Sequence, residues 1–385
     1  MIPYGRQEIS RADIDAVVAV LQSDFLTQGP AVPRFEQAIA ARGAARHAVA
    51  VNSGTSALHV ACLAFDLKPG DVLWTVPNTF VASANCARYC GASVDFVDIA
   101  SDTWNLSVPA LREKLVRARR DGKLPKVVVP VHFGGQPTEQ EAIWELAREF
   151  GFKVLEDAAH SFGAFRNGEP VGSCKWSHIT TFSFHPVKTI TTGEGGMAVT
   201  NDDELAHRMS VFRSHGITRD PARMRHPPEG PWYYEQIELG YNYRMTDLQA
   251  ALGLSQLARL DEFLERRAVL ARRYEQTLVE LPLQLPVVQP GNRPAWHLYV
   301  VRLRSGAVAK TRREVFDLLR KQGIGVSLHY MPLHLQPYYR NLGFGPGLFP
   351  EAERYAREAI SLPLYPGLSE REQDSVVQAI ARALA

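Results

Sequence analysis

Between residues 47 and 200, short apolar runs alternate with stretches of helical period, and this alternation restricts the chain more than any other feature. Strands are predicted at 47–52, 72–75, 94–99, 126–132, 153–156, 179–184 and 197–200. Helices are predicted among them at 55–65, 80–89, 139–150 and 204–213. Runs such as Val127-Val128-Val129-Pro130-Val131 are apolar throughout, as expected of strands covered on both faces. Strands separated by helices cannot pair as tight hairpins. The pattern therefore implies an α/β fold whose mainly parallel, seven-stranded sheet lies under helical cover.

At 385 residues the chain exceeds a usual single core, so two domains are expected. Residues 219–231 are rich in Pro and Arg, lack periodicity and read as a loop. A long helical pattern then begins at Thr246, which can cap it with Gln249 completing a capping box. Leu248, Leu252, Leu257, Leu260 and Leu264 form its apolar stripe. The domain change is placed inside this helix. That gives a large domain at 1–254, including an N-terminal arm, and a smaller α+β domain at 255–385. The smaller domain is expected to contain strands at 296–303 and 326–329 and helices at 311–322, 351–360 and 370–384.

Lys and Arg total 43 against 41 Asp and Glu, a net charge of +2. That balance argues against a nucleic-acid partner, while leaving room for a local basic pocket around a phosphorylated small molecule. No stretch is long enough to span a membrane, and the N-terminal MIPYGRQE lacks the apolar core of a secretion signal. A cytoplasmic location is expected. The cysteines are Cys62, Cys86, Cys90 and Cys174, with no CxxC pair and no clustered histidines. Buried reduced thiols and no metal site follow.

Three local patterns can carry chemistry. In Val51-Asn-Ser-Gly-Thr-Ser-Ala57 a strand meets a Ser/Gly/Thr turn and then a helix, whose free N–H groups and dipole favour an anion, above all a phosphate. An ordinary N-cap explains the same residues and is the commoner case. In Val154-Leu-Glu-Asp-Ala-Ala-His160, Asp157 stands at the carboxyl end of an apolar strand, where open α/β sheets place their sites. A buried carboxylate there needs a cationic partner, and a protonated pyridine nitrogen would serve. A turn-capping Asp and a hydrogen-bonded core His160 are the plain alternatives. In Ser183-Phe-His-Pro-Val-Lys188, followed by Gly193-Glu-Gly-Gly196, a lysine follows a strand and precedes a glycine turn. Such a lysine can be shielded from water, which lowers its ammonium pKa, and only the neutral amine attacks an aldehyde. Most single lysines are surface groups. The serial order of phosphate turn, aromatic, acid and lysine argues otherwise here.

That order, with SGTSAL at 53–58, EDAAHSFGA at 156–164, FSFHPVKTITTGEGG at 182–196, GYNYRMTDLQAALG at 240–253 and LPLYPGL at 362–368, resembles the DegT/DnrJ/EryC1/StrS sugar aminotransferases over nearly the whole chain. Within that family, IPYGRQEI, DFLTQGP at 24–30 and the WYYE–ELGYNYRMT segment resemble one branch. Its members are the UDP-4-amino-4,6-dideoxy-N-acetyl-β-L-altrosamine transaminases of pseudaminic acid biosynthesis. The resemblance implies the aspartate-aminotransferase-like fold (fold type I) and pyridoxal 5'-phosphate as cofactor. It implies L-glutamate as amino donor and, as acceptor, a UDP-linked 4-keto-6-deoxy-N-acetylhexosamine, UDP-2-acetamido-2,6-dideoxy-β-L-arabino-hexos-4-ulose.

By motif, Lys188 would bind the cofactor aldehyde and shuttle the proton, and Asp157 would pair with the ring nitrogen. Phe80 would stack on the ring and His160 would lie near its hydroxyl. Thr55, Ser56 and Ser183 would hold the phosphate. Asn242 would reach it from a neighbouring subunit, which requires a homodimer with shared sites. His185 and His329 would lie near the sugar nucleotide. Three rivals are another nucleotide 4-keto sugar such as UDP-4-keto-arabinose, a sugar dehydratase of the same superfamily, and a non-catalytic binding or regulatory protein. The dehydratases carry a histidine in place of Lys188. The intact set of Lys188, Asp157 and Ser183 disfavours a mere binder.

Overall fold

The computed structural model describes residues 1–304 and 306–385. The apolar runs form β1 (His47–Val51), β2 (Val72–Thr75), β3 (Ser93–Phe96), β4 (Val127–Val129), β5 (Lys153–Asp157), β6 (Ile179–Ser183) and β7 (Gly196–Thr200). They join in one seven-stranded sheet of order β1-β7-β6-β5-β4-β2-β3. β7 runs antiparallel to β1 and β6, and the other neighbours pair parallel. Helices supply four of the crossovers: α3 (Gly54–Ala64), α4 (Ala82–Tyr89), α5 (Val108–Arg120) and α6 (Gln140–Phe150), and α7 (Asp203–Arg213) follows the last strand. They are preceded by α1 (Arg11–Leu21) and α2 (Ala31–Gly43). α6 ends at Gly151, whose φ of 82° closes the helix and turns the chain into β5.

The all-apolar β4 shows why its sequence does not alternate. Val127 and Val129 pack with Leu58, Ala61 and Leu73 in one core layer, while Val128 joins Trp74, Leu115, Ile143 and Leu146 in the opposite layer. Burying each valine contributes roughly 1.5–3 kcal/mol. The sheet is thus fixed from both faces, and the loops at its strand ends inherit that rigidity.

The C-terminal part holds a three-stranded antiparallel sheet of β8 (Leu283–Gln284), β9 (Tyr299–Leu303) and β10 (Ala359–Leu362). It packs with α9 (Leu260–Leu278), α10 (Arg312–Lys321) and α12 (Glu370–Leu384) around Leu270, Tyr274, Val315, Leu319 and Val376. α11 (Pro350–Glu358) precedes β10.

Several expectations are corrected here. The long helix beyond Thr246 is two helices, α8 (Asp247–Leu257) and α9. At the break, Arg259 donates to the fully buried Asp13 carboxylate at 2.8 Å, which ties the turn to α1. The capping box of Thr246 and Gln249 is present. The buried face of α8 is Ala250, Ala251, Gly253 and Gln256, however, and Leu248, Leu252 and Leu257 are only half-buried. Close packing on α2 explains the small residues: a Cβ at Gly253 would lie 2.6 Å from Phe35. Residues 326–329 form no strand beyond a bridge between Ser327 and Ser361, because the backbone at Ile324 and Gly325 pairs instead with Ile2. The helix expected to reach 360 stops at Glu358, since Ile360 pairs with Val301 in the small sheet. Helices α1, α2 and α5 lie outside the expectations. Among the described residues no helix is long and apolar enough to cross a membrane.

Candidate active site

The carboxyl ends of β5 and β6 and the start of α3 converge on a cavity of about 690 Å³. This is where an open α/β sheet offers a crevice, because its loops diverge there. Lys188, Asp157, His160, Ser183, Thr55, Ser56, Phe80, His185 and His329 all line it. Asn242 does not. It is exposed, and its backbone bridges to Ser214.

Asp157 is the last residue of β5 and only 6% exposed. Its Oδ1 accepts from the Ala159 N–H at 3.1 Å and its Oδ2 from the Ser83 hydroxyl at 2.6 Å. Lys188 lies in the turn after β6, its N–H donating to the His185 carbonyl at 2.9 Å. One side of the lysine opens to the cavity, yet it sits deep in protein. Burial pulls its ammonium down to about 8, against the opposing charge of Asp157. A lysine poised near neutrality is a competent amine nucleophile.

The start of α3 forms a cradle. Ser53 caps the helix, its hydroxyl accepting from the Ser56 N–H at 3.1 Å. The Ser56 hydroxyl in turn donates to Asn52 at 2.7 Å. Gly54 and Thr55, whose N–H groups have no acceptor within the helix, line the cavity. Gly54 is required by close approach: a Cβ there would lie 2.8 Å from the Ser183 Cβ. The plain N-cap and the anion cradle are therefore the same residues, with Ser183 opposite.

Histidines and a tyrosine build the far wall. The Gly134 N–H donates to His160 Nδ1 at 3.3 Å, so a neutral ring carries its proton on Nε2 and donates to the Tyr330 oxygen at 3.1 Å. Burial, then the charge of Lys188, pushes His160 well below the usual imidazole range, which keeps the ring neutral. His329 is held down to about 4, again by burial and then Lys188, and its Nδ1 pairs with the Ser361 hydroxyl at 2.8 Å. His297 packs against His160 with ring centroids 4.4 Å apart and the rings tilted by 43°, and its buried Nδ1 has no hydrogen-bond partner among the described residues. Phe80, 57% exposed, lines the cavity with its ring centroid 6.3 Å from that of Tyr330.

Ser83, His297, Tyr330, Tyr4 and Glu194 stand at or beside this site without having been expected there. Tyr330 adjoins the expected His329, and Glu194 lies inside the glycine turn. Those neighbours were the signals available for them. Ser83 and His297 carry no local pattern.

The set fits pyridoxal phosphate. A glycine-lined helix start with three serine hydroxyls suits a phosphate. A fixed buried carboxylate suits a protonated ring nitrogen, and a lysine near neutrality suits an aldehyde. An unpartnered imidazole nitrogen remains on the wall.

Comparison with known proteins gives the same picture over the whole chain. The model of the DegT/DnrJ/EryC1/StrS aminotransferase family matches residues 7–381. The spore coat polysaccharide biosynthesis protein SpsC of Bacillus subtilis is 41% identical over 98% of this chain and 96% of its own. Spr1654 of Streptococcus pneumoniae, solved in its PLP form, superposes with a TM-score of 0.89 at 28% identity, covering 100% of both chains. PseC of Helicobacter pylori, an aminotransferase involved in the biosynthesis of pseudoaminic acid, superposes with a TM-score of 0.90 at 29% identity. That match covers 100% of this chain and 99% of PseC.

Proposed function

The chain belongs to the DegT/DnrJ/EryC1/StrS aminotransferase family, whose cofactor is pyridoxal phosphate and whose acceptors are keto sugars, and on that premise we propose its substrates and residue roles. The enzyme moves the amino group of L-glutamate to C4 of a UDP-linked 4-keto-6-deoxy-N-acetylhexosamine, UDP-2-acetamido-2,6-dideoxy-β-L-arabino-hexos-4-ulose. The observation that carries the chemistry is Lys188, brought to about 8, in one cavity with the fixed carboxylate of Asp157. The likeness to PseC supports the choice of sugar.

When bound, pyridoxal phosphate supplies an amine-capturing aldehyde and a protonated ring that takes up the electron pair left at a deprotonated carbon. The rest falls to the chain. Thr55, Ser56 and Ser183 hold the phosphate at the start of α3, and Asn242 of the partner subunit completes that contact. Asp157 would keep the ring nitrogen protonated, Phe80 would cover the ring, and a neutral His160 would lie beside the ring hydroxyl. Lys188 is the residue that would hold the cofactor through its aldehyde and, once freed by the donor amine, would serve as the base and acid that moves the donor α-carbon proton. For the keto sugar it performs the reverse transfer, leaving the amine on C4. His185 and His329 face the sugar nucleotide.

The protein works in the cytoplasm as a homodimer with shared sites. Its large domain is 1–254 and its small domain 255–385, so the boundary falls within α8.

The higher identity to SpsC favours one second reading, in which the acceptor is another nucleotide-linked 4-keto sugar of a surface polysaccharide. A panel of UDP-4-keto sugars assayed with glutamate separates the two by 2-oxoglutarate release. The first reading expects the 6-deoxy-N-acetylhexosamine to give the highest kcat/KM. A preference for UDP-4-keto-arabinose or another sugar would replace it.

A further inference from the structure

We propose that Ser83 and Thr79 form a hydroxyl relay that fixes the Asp157 carboxylate for the ring nitrogen, making Ser83 a positioning residue of the reaction. The proposal rests on the role of Asp157 given above.

The proton inventory sets the direction of the relay. Ser83 is fully buried on α4, and its hydroxyl has a single proton. Its oxygen lies 2.6 Å from Asp157 Oδ2, 2.7 Å from the Thr79 hydroxyl and 3.3 Å from the Phe80 carbonyl. A contact of 2.6 Å to a carboxylate falls in the range of charge-assisted O–H···O bonds and outcompetes a long contact to a neutral carbonyl. Ser83 therefore donates to Asp157. Thr79 must then donate to Ser83, and each bond polarises the next. Thr79 lines the cavity and is itself buried, so the relay runs from the cavity wall to the carboxylate.

The two carboxylate oxygens are thus held from different elements. Ala159, in the loop after β5, takes Oδ1, and α4 takes Oδ2. Two fixed donors leave the carboxylate plane no free rotation, so its remaining lone pairs keep a constant aim. Preorganisation of this kind acts on the chemical step, because the charge on the ring nitrogen matters most when the ring holds the electron pair. It contributes little to capturing the amino donor. Loss of Ser83 should therefore appear in kcat rather than in KM.

The test uses full-length holoenzyme loaded with cofactor isotope-labelled at the ring nitrogen. For Ser83→Ala the expected results are a kcat lower by about tenfold, an unchanged KM for glutamate and a shifted ring-nitrogen resonance. Ser83→Thr keeps the hydroxyl and should restore the resonance. Thr79→Val, nearly isosteric, removes the outer donor and should shift the resonance the same way by less. An unchanged ring-nitrogen resonance in Ser83→Ala overturns the proposal, whatever happens to the rate. If Ser83→Ala does not fold, the same outcome in Thr79→Val overturns it. A ring-nitrogen resonance that is unchanged in Asp157→Asn as well would instead overturn the role of Asp157, whereas a shift in Asp157→Asn with none in Ser83→Ala overturns only the relay, so the two failures are distinguishable.

Discussion

Lys188 is a case where burial decides reactivity. Its ammonium sits at about 8 rather than the usual 10.5 because it is removed from bulk water, and Asp157 recovers part of that loss. Below pH 8 the protonated form dominates, and above it the neutral amine does. Capture of pyridoxal phosphate by the apoprotein should therefore quicken roughly tenfold per pH unit well below 8 and level off above it. Stopped-flow absorbance measures this, and a rise continuing to pH 10 would mean the lysine is not shielded. At this scale the sequence was legible where residues sit in runs. Asp157 ends an apolar strand, Lys188 follows one, and each reaches the cavity because its strand does. Ser83 and His297 were illegible for the opposite reason. Their contacts are to residues 74 and 137 positions away, Asp157 and His160, and no local spacing encodes such pairs.

The element that matters most is the start of α3. Its cap, its cavity-lining glycine and the opposing Ser183 share one tight contact, so the cradle tolerates no extra atom. Gly54→Ala places a Cβ 2.8 Å from the Ser183 Cβ. The variant should lose about 1–3 kcal/mol of stability through overpacking. It should also bind pyridoxal phosphate more weakly, as read by apoprotein melting and cofactor titration. Unchanged affinity would remove the cradle from the phosphate site. The strands of the large sheet were legible because unbroken apolar runs have few alternatives to burial on both faces. The break after α8 was not, since an ion pair between Arg259 and Asp13, distant in sequence, overrides a continuous helical pattern. The segment at 326–329 reads as a strand by composition. Ile2 pairs with the backbone just before it, only Ser327 bridges to Ser361, and the segment instead carries His329 to the cavity.

For the whole molecule, the assembly proposed above turns on Asn242. It is exposed and does not line the cavity of its own chain, so the phosphate role proposed for it calls for a second copy. Mixing Lys188→Ala with Asn242→Ala after joint refolding tests this directly. Each homodimer lacks a needed residue at both sites, but the hybrid rebuilds one site from the two chains. About a quarter of wild-type activity should return for random pairing. No recovery would place Asn242 outside the neighbouring site. All of this depends on Lys188 holding the cofactor, and borohydride reduction of the holoenzyme followed by peptide mass analysis measures that most directly. The expected result is one cofactor mass on the peptide containing Lys188. A label on any other lysine, or none, would contradict the account.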